Sequence, residues 1–513
     1  MPVPRALQIL EVLENILSHC ADETNQQSVL VCKLWSEVAL DVLWYKVEDL
    51  ERFLRLFGEL EEEEDDETFL YSKMPSVATW QRFEKVYQHR IRILSLCKPH
   101  TKYTPALITI SRIRSEGPLL PKLHTLEWYG LSGSGLAEPS VMFMHNGIRK
   151  FRIDDDGLLT RIETNDNITS YCTAINTRMP RLSTLDLCLV PSPTYQRPII
   201  ALIQQLPDLE DLSIPAFEDQ TIVLIGLRDM PILSLSLIQM VESLRQETSS
   251  ILNGPHQRTG FSKLREVEFC CTLAFATLLF QNITVPNNMR SVILCSKGLE
   301  SSHDIRTLIS EIVASFSRLT TLRLDNLEDV EIPDGLPSQP LGDDTIHLED
   351  ISPLLNRYPD MRCFMLRSPY PLALDDNDME TIAKSWPQLK YLWLCDQPCV
   401  LFPEREKRIT LNALSHLSRH CPCLSVVGLY LDATSDHIPN FASVKLFENL
   451  TQLEFGPSSI DRSALVARTL AQVCLNHNLK LMFGSEWKDP EKISPILTLC
   501  GKLSGKASRR PLE

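Results

Sequence analysis

The chain has 513 residues, more than one hydrophobic core normally serves, so we expect several domains or a repeat array. Hydrophobic residues make up 43% of the chain and charged residues 23%, proportions typical of globular proteins, so most of it should fold. The formal net charge of -15 repels phosphate, which argues against a nucleic-acid or anionic-membrane role for the whole protein.

The apolar segments and the cysteines indicate an intracellular protein. No apolar run approaches the ~18–20 residues that span a bilayer. The first residues, M-P-V-P-R-A-L-Q, lack the apolar core of a signal peptide. Without a secretory route, the 15 cysteines are interpreted as reduced thiols, and none of them forms a C-x-x-C pair. We therefore expect a cytoplasmic or nuclear location.

Residues 1–58 predict a small helical domain. Between residues 6 and 20, leucine and isoleucine recur every three or four positions, which is the spacing of one helix face. The polar run D-E-T-N-Q-Q then interrupts the pattern. Two further apolar segments, 28–40 and 41–57, predict a second and a third helix.

An acidic run, E-L-E-E-E-E-D-D-E, follows this helical domain at Glu59–Glu67. Like charges at this density repel one another and favour a solvated segment. We therefore predict an acidic linker or loop over residues 59–80, which forms the first domain boundary.

One phrase recurs through most of the remaining chain, from residue 81 to residue 485. It reads apolar, two variable residues, apolar, one variable residue, apolar, and six copies have a proline two residues ahead, as in P-R-L-S-T-L-D-L. The copies start at residues 91, 123, 148, 182, 209, 232, 264, 289, 319, 361, 389, 424 and 450, about 30 residues apart on average. This period lies at the upper edge of the leucine-rich repeat range.

The residues that precede several of these phrases have helical periodicity, so each repeat is predicted to be a helix, a short turn and a strand. Proline suits that junction because it ends a helix and favours extended backbone before it. The predicted fold class is α/β: a small helical domain followed by an irregular leucine-rich-repeat solenoid with parallel strands on its concave face. Residues 329–344 predict a surface loop, and residues 486–513 a C-terminal tail.

Side chains of a strand alternate between its two faces, which separates interior positions from exposed ones. The predicted interior positions are Leu126, Leu185, Leu212, Leu322, Leu392 and Leu453. Exposed charged and aromatic side chains on a rigid surface favour binding. The predicted target-binding residues are Glu127, Tyr129, Asp186, Glu268, Arg323, Tyr391, Trp393, Tyr430 and Glu454. The alternative is that the aromatic rings lean on adjacent repeats.

The N-terminal segment resembles an F-box, the motif that docks on the Skp adaptor of cullin–RING ubiquitin ligases. The resemblance lies in A-L-Q-I-L-E-V-L-E-N-I-L-S-H-C, L-V-C-K-L-W and A-L-D-V-L-W. This sequence is similar to that of F-box proteins of filamentous fungi. Two positions depart from it: Leu10 stands where the family has proline, and Cys20 where it has leucine. The adaptor-binding residues that the resemblance implies are Leu7, Ile9, Leu10, Leu13, Ile16, Leu17, Val31, Cys32, Trp35, Leu43 and Trp44.

The resemblance implies a substrate receptor of a Skp–cullin–F-box ligase, which binds a target protein and leaves catalysis to other subunits. We expect no enzyme activity, cofactor or metal. The run G-L-S-G-S-G at Gly130–Gly135 fits neither a nucleophile elbow nor a phosphate-binding loop, and Asp154–Asp156 is interpreted as a solvated loop. The histidines lack zinc-ligand spacing.

Two alternatives stay open. The first is a leucine-rich binding scaffold without a ligase role, which the residue at position 10 supports. The second is a leucine-rich GTPase activator or enzyme inhibitor. That class predicts regular repeats of about 28 residues and no adaptor-binding segment, and both features disagree with this sequence.

Overall fold

A computed structural model describes most of the chain. The described residues are 5–63, 68–96, 101–114, 116–129, 138–154, 165–217, 220–238, 260–282, 288–296, 300–326, 345–368, 370–398, 407–434, 447–460, 466, 470 and 479–482. The chain divides into two compact units, unit 1 (Met1–Gln246) and unit 2 (Glu247–Glu513). Within the described part, no helix is both long and apolar enough to cross a membrane.

Unit 1 begins with a small helical segment. Its elements are a 3-10 helix Arg5–Gln8, α1 Leu10–Ser18, α2 Asp22–Ser28, α3 Lys33–Tyr45, the short strand β1 Lys46–Val47 and α4 Leu50–Leu54. Leu13 and Leu17 of α1 pack on Val38 and Ala39 of α3, and all four side chains are buried. The four-residue spacing within α1 puts both leucines on one helix face, so the predicted periodicity accounts for this packing.

Residues 60–63 of the acidic run form a paired strand and not the predicted linker or loop. Strand β2 Leu60–Glu63 pairs antiparallel with β3 Thr68–Tyr71. Leu60 is buried, the Tyr71 hydroxyl donates to the Leu54 carbonyl at 3.0 Å, and the glutamates 61–63 stay exposed. Because the carboxylates remain in water, their repulsion is screened and does not prevent strand pairing.

Parallel strands make up the sheet of unit 1. After helix α5 Val77–Val86, the strands are β4 Ile93–Leu96, β5 Thr125–Tyr129, β6 Lys150–Asp154, β7 Thr184–Cys188, β8 Asp211–Pro215 and β9 Ser234–Ile238. Each pairs with the next along the chain, and β1 pairs with β4 at the outer edge. The intervening helices are a 3-10 helix Thr101–Tyr103, α6 Thr104–Ile113, α7 Glu138–Val141, α8 Asn165–Arg178, α9 Pro193–Gln204 and α10 Gln220–Leu227.

Unit 2 repeats the same architecture. Its parallel strands, in pairing order, are β10 Glu266–Cys270, β11 Ser291–Ser296, β12 Thr321–Asn326, β13 Cys363–Leu366, β14 Tyr391–Leu394, β15 Val426–Leu429, β17 Gln452–Glu454 and β19 Lys480–Met482. A separate short pair joins β16 Asp432–Ala433 to β18 Ser459–Ile460. The helices are α11 Leu273–Asn282, α12 Ser302–Ser315, α13 Leu348–Arg357, α14 Asp376–Ser385 and α15 Ala413–His420.

The predicted fold class is confirmed: both units are helix–strand arrays of the leucine-rich-repeat type. Each of the 13 predicted phrases leads into a strand that begins two residues after the phrase starts. The predicted interior residues are all buried, namely Leu126, Leu185, Leu212, Leu322, Leu392 and Leu453. The predicted loop 329–344, the run Gly130–Gly135 and the tail 486–513 lie outside the described residues.

The strands of each unit have two unlike faces. On one face, strand side chains pack on the helices: Phe151 of β6 meets Tyr171 of α8 with ring centroids 6.4 Å apart, and Phe364 of β13 meets Trp386 at 4.8 Å. The alternate side chains point to the opposite side and are less buried, as the burial of β6 and β7 shows. We call that side the open face.

Candidate docking surface on the N-terminal helices

A stripe of apolar side chains on α1 is exposed. Ile9, Val12 and Ile16 are 49%, 37% and 40% exposed. Their spacing of three and four residues aligns them along one side of the helix. That side lies next to the face that Leu13 and Leu17 bury against α3. The helix therefore carries more apolar surface than α3 covers.

The turn from α2 into α3 adds a second exposed apolar group. Leu30, Val31 and Leu34 are 86%, 61% and 37% exposed. Val29 and Trp35, which flank them, pack on the core formed by α1 and α3. The turn and the α1 stripe therefore border the same small core. We call the exposed apolar side chains together the docking surface: Ile9, Leu10, Val12, Ile16, Leu30, Val31 and Leu34.

A buried asparagine holds this turn against α1. Asn25 is 1% exposed, and its side-chain amide donates to the carbonyls of Leu17 and Cys20 at 3.0 and 3.4 Å. The Leu17 carbonyl, which also accepts from the Cys20 amide at 3.1 Å, lies in the last turn of α1, and the Cys20 carbonyl lies just beyond that helix. The docking surface is thus shaped by hydrogen bonds and buried leucines, and its own side chains remain free to contact another protein.

The chemistry of the docking surface suits protein binding. Contiguous exposed apolar side chains on a folded protein usually mark an interaction site. Among the described residues, no group of three or more histidine, cysteine, aspartate or glutamate side chains could hold a metal ion. The arrangement can therefore bury apolar surface of a partner.

The residues predicted to bind the adaptor fall into three groups. Those that lie on the exposed surface are Ile9, Leu10, Ile16, Val31 and Cys32. Two are half-buried, Leu7 and Trp35. The remaining four are buried inside unit 1: Leu13, Leu17, Leu43 and Trp44.

The buried four cannot contact a partner in this packing, so their prediction as contact residues needs correction. Leu13 and Leu17 form the core beneath the docking surface. Trp44 is engaged within unit 1, because its ring meets Tyr87 edge-on at 4.9 Å and the Arg52 guanidinium lies 4.7 Å from its centroid. Apolar character alone does not separate these positions from exposed ones.

Three exposed residues of the docking surface were not among the predicted contacts, namely Val12, Leu30 and Leu34. The spacing of Val12 from Ile9 and Ile16 could have identified it. Leu30 opens the run L-V-C-K-L-W, which carries the F-box resemblance, but it was assigned to a predicted helix, whereas α2 ends at Ser28 and places it in a turn.

A buried arginine fixes the helical segment to the first repeat. Arg90, just before β4, is 5% exposed. Its guanidinium donates to the Val86 carbonyl at 2.6 Å, to the Glu37 carbonyl at 2.9 Å, and to the carboxylates of Glu37 and Asp41 on α3. Together with the β1–β4 pairing, this clamp orients the docking surface relative to the first repeat.

In unit 1, two basic side chains of β6 make ion pairs with predicted target-binding residues. Lys150 Nζ lies 2.9 Å from Glu127 Oε1, and Arg152 Nη1 lies 3.2 Å from Asp186 Oδ2. The Arg152 guanidinium also lies 5.2 Å from the Tyr129 ring centroid. Burial raises the pKa of Asp186, while the Arg152 charge opposes that rise.

In unit 2, strand register puts four predicted residues at one level of the open face: Glu268, Arg323, Trp393 and Glu454. Tyr391 is 40% exposed, and its ring is nearly parallel to that of Trp393, with centroids 6.2 Å apart. Tyr430, just after β15, is half-buried.

Comparison with known proteins finds similarity among solved structures. No family model matches the sequence, and no curated protein matches it. One similar solved structure is that of the Rad7 and Elc1 complex in yeast. It has 16% sequence identity and a TM-score of 0.36, and the match covers 88% of this chain and 98% of that chain. A likeness at this TM-score carries no argument about function, which rests on the residues described above.

Proposed function

We propose that this chain is the substrate-recognition subunit of a Skp–cullin–F-box ubiquitin ligase. The observation that carries the proposal is the exposure of Ile9, Ile16 and Val31, which occupy apolar positions of the F-box pattern. Isoleucine and valine are normally buried in folded domains. Their exposure on a rigid unit leaves apolar surface for adaptor helices to cover.

The magnitude of this surface suits a stable interface. Full burial of one exposed Val, Leu or Ile side chain contributes about 1.5–3 kcal/mol. Seven partly exposed side chains therefore offer several kcal/mol before the entropic cost of association. Apolar character at the centre of a surface is typical of long-lived interfaces.

The repeats would supply the second half of the function by holding a target protein. The mechanism is proximity: the adaptor anchors the chain to the ligase, and the repeats position the target near the ubiquitin-loaded enzyme. Catalysis belongs to other subunits. This role is compatible with a cytoplasmic or nuclear location.

The test is co-purification of the full chain with a purified Skp adaptor. We expect a one-to-one complex from the unchanged chain. Ile16→Asp and Val31→Asp should each weaken the complex at least about tenfold, because each puts a charge into an apolar interface. Met74→Asp is the matched control, since Met74 is 68% exposed and lies outside the docking surface. Circular dichroism of each variant should match that of the unchanged chain.

Two results would contradict the proposal. The unchanged chain could fail to bind the adaptor, or the docking-surface variants could bind as tightly as the Met74→Asp control. Either result favours the second candidate, a leucine-rich binding scaffold without a ligase role.

The residue at position 10 is the observation that favours the scaffold. Leu10 is 50% exposed and stands where the F-box pattern has proline. It is also the first residue of α1, a position where proline leaves the helix intact. Leu10→Pro should therefore keep the fold and strengthen adaptor binding. If the variant folds and still does not bind the adaptor, the scaffold is the better account.

A further inference from the structure

The open face of unit 1 contains an arginine held between an aromatic ring and a carboxylate. Tyr129 is on β5, Arg152 on the next strand, and Asp186 on the strand after that. The guanidinium lies 5.2 Å from the ring centroid and 3.2 Å from the carboxylate. A planar cation over an aromatic ring is a favourable contact, and a carboxylate beside it strengthens the arrangement.

On the open face of unit 2, an aromatic residue and a carboxylate again lie on the first and third of three neighbouring strands, but the middle strand has no arginine between them. Trp393 on β14, Gly428 on β15 and Glu454 on β17 lie side by side in register. A Cβ atom at Gly428 would lie 2.2 Å from Trp393 Cδ1. The indole therefore lies over the glycine backbone, and the middle strand supplies no side chain to cover it.

The charges around this position leave a negative excess. Arg323 and Arg367 pair with Asp325, at 3.3 and 2.8 Å, and Arg367 Nε lies 3.5 Å from Asp396 Oδ1. Asp396 is fully buried, so its carboxylate is shielded from water and depends on Arg367 for charge compensation.

Among the described residues, the remaining carboxylate, Glu454, accepts a hydrogen bond only from the neutral amide of Gln452, at 2.7 Å. Its charge adds to the burial that raises the pKa of Asp396, so it acts on the same cluster. Within the part of the chain that the structure describes, the three carboxylates of Asp325, Asp396 and Glu454 thus face the guanidinium groups of Arg323 and Arg367, and an incoming cation would restore neutrality.

We propose that the open face of unit 2 binds an arginine side chain of an extended segment of a partner protein, with the guanidinium stacked on Trp393 and paired with Glu454. This partner is the target only if the proposed function holds; the binding site itself does not depend on the adaptor. Arginine is preferred to lysine because its planar group matches both the ring and the carboxylate.

The test uses the full chain and a fluorescein-labelled peptide of nine alternating glycine and arginine residues, followed by fluorescence anisotropy. A second peptide carries citrulline at every arginine, which keeps the shape and removes the charge. We expect the arginine peptide to bind at least about tenfold more tightly than the citrulline peptide. A lysine peptide should lie between them.

Two variants and two controls locate the site. Trp393→Ala should weaken arginine-peptide binding about tenfold, and Glu454→Gln about threefold. Tyr45→Ala controls for the loss of an exposed aromatic, since Tyr45 is 48% exposed and lies in unit 1. Glu448→Gln controls for the loss of one negative charge at an exposed position of unit 2. Both controls should bind like the unchanged chain.

The proposal is overturned if Trp393→Ala binds normally, if the citrulline peptide binds equally well, or if Glu448→Gln and Glu454→Gln weaken binding equally. The last result would indicate general attraction to an acidic chain. Val31→Asp should leave peptide binding unchanged. The failure of this inference is therefore distinguishable from failure of the adaptor test.

Discussion

The N-terminal helices and the repeat strands contain similar apolar residues but bury them to different extents. In the strands, each repeat is covered by its neighbours, so Leu322 and Leu392 are fully buried. In the helices, α3 covers one side of α1, and Ile9 and Ile16 stay exposed. The comparison teaches that apolar periodicity identifies an element and does not show which protein covers it.

The largest expected effect on stability comes from a substitution in the buried core of the repeats. Leu322→Ala removes a fully buried side chain from β12 and should lower the free energy of unfolding by about 2–5 kcal/mol. Urea denaturation followed by circular dichroism measures the change. Ile9→Ala is the matched control on the helices, because Ile9 is 49% exposed. An equal loss of stability in both variants would contradict the difference in burial between the repeat strands and α1.

A smaller effect is expected from the clamp that joins the two regions. Arg90→Met keeps the length of the side chain and removes its hydrogen bonds to Val86, Glu37 and Asp41. The Glu37 and Asp41 side chains are 55% and 57% exposed, so water can solvate them after the change. We expect a loss of about 1–3 kcal/mol and faster hydrogen exchange in α3. Arg82→Met, at an exposed position, should show neither effect.

The second polar link between the regions should depend on pH. Hydrogen bonds from Arg55 and Tyr103 lower the pKa of Glu51, on α4. A carboxyl whose pKa is lowered by folding stabilises the protein above its unfolded pKa of about 4.3 and loses that contribution as pH falls through the folded pKa. The melting temperature of Glu51→Gln should therefore lie below that of the unchanged chain at pH 7, with the difference shrinking below about pH 4.5. An unchanged difference at pH 3 would contradict this account, and Glu62→Gln on the exposed side of β2 is the control.

The smallest effect on stability is expected on the docking surface itself. Leu30 is 86% exposed, so Leu30→Ser should change the free energy of unfolding by no more than about 0.5 kcal/mol. Its effect should appear only in adaptor binding. A large loss of stability would show that Leu30 belongs to the core of the chain.

The repeat strands could be predicted from sequence because their signal is local and recurs. Each buried phrase start, such as Leu182 or Leu389, is followed by alternating residues whose faces are set by strand geometry. Helices precede strands in the repeats, as predicted. In the N-terminal segment the helix bounds were predicted wrongly: the polar run D-E-T-N-Q-Q lies in α2 (Asp22–Ser28), and α3 (Lys33–Tyr45) crosses the predicted boundary between segments 28–40 and 41–57. Pairing between strands was harder to predict from sequence. The pairing of β2 with β3 depends on the burial of Leu60 and on the hydrogen bond from Tyr71 to Leu54, which composition does not reveal.

The docking surface could be predicted only in part. Helical periodicity and the F-box resemblance indicated the segment that carries the exposed apolar side chains, yet they grouped Leu13 and Trp44 with Ile9 and Val31. Burial separates them, and burial depends on where α3 and Tyr87 lie in space. The Arg90 clamp carried no sequence signal, because Arg90 and Asp41 are 49 residues apart along the chain.

The pairing of β1 with β4 has a consequence for aggregation. An edge strand presents unpaired backbone groups to which another chain can add a strand. Lys46 and Val47 occupy that edge beside Ile93 and Leu94, so the helical segment also protects the start of the sheet. Chains lacking residues 1–58 would expose β4 and should self-associate. Loss of adaptor binding in such a truncation would therefore mix two causes, which single substitutions on the docking surface keep apart.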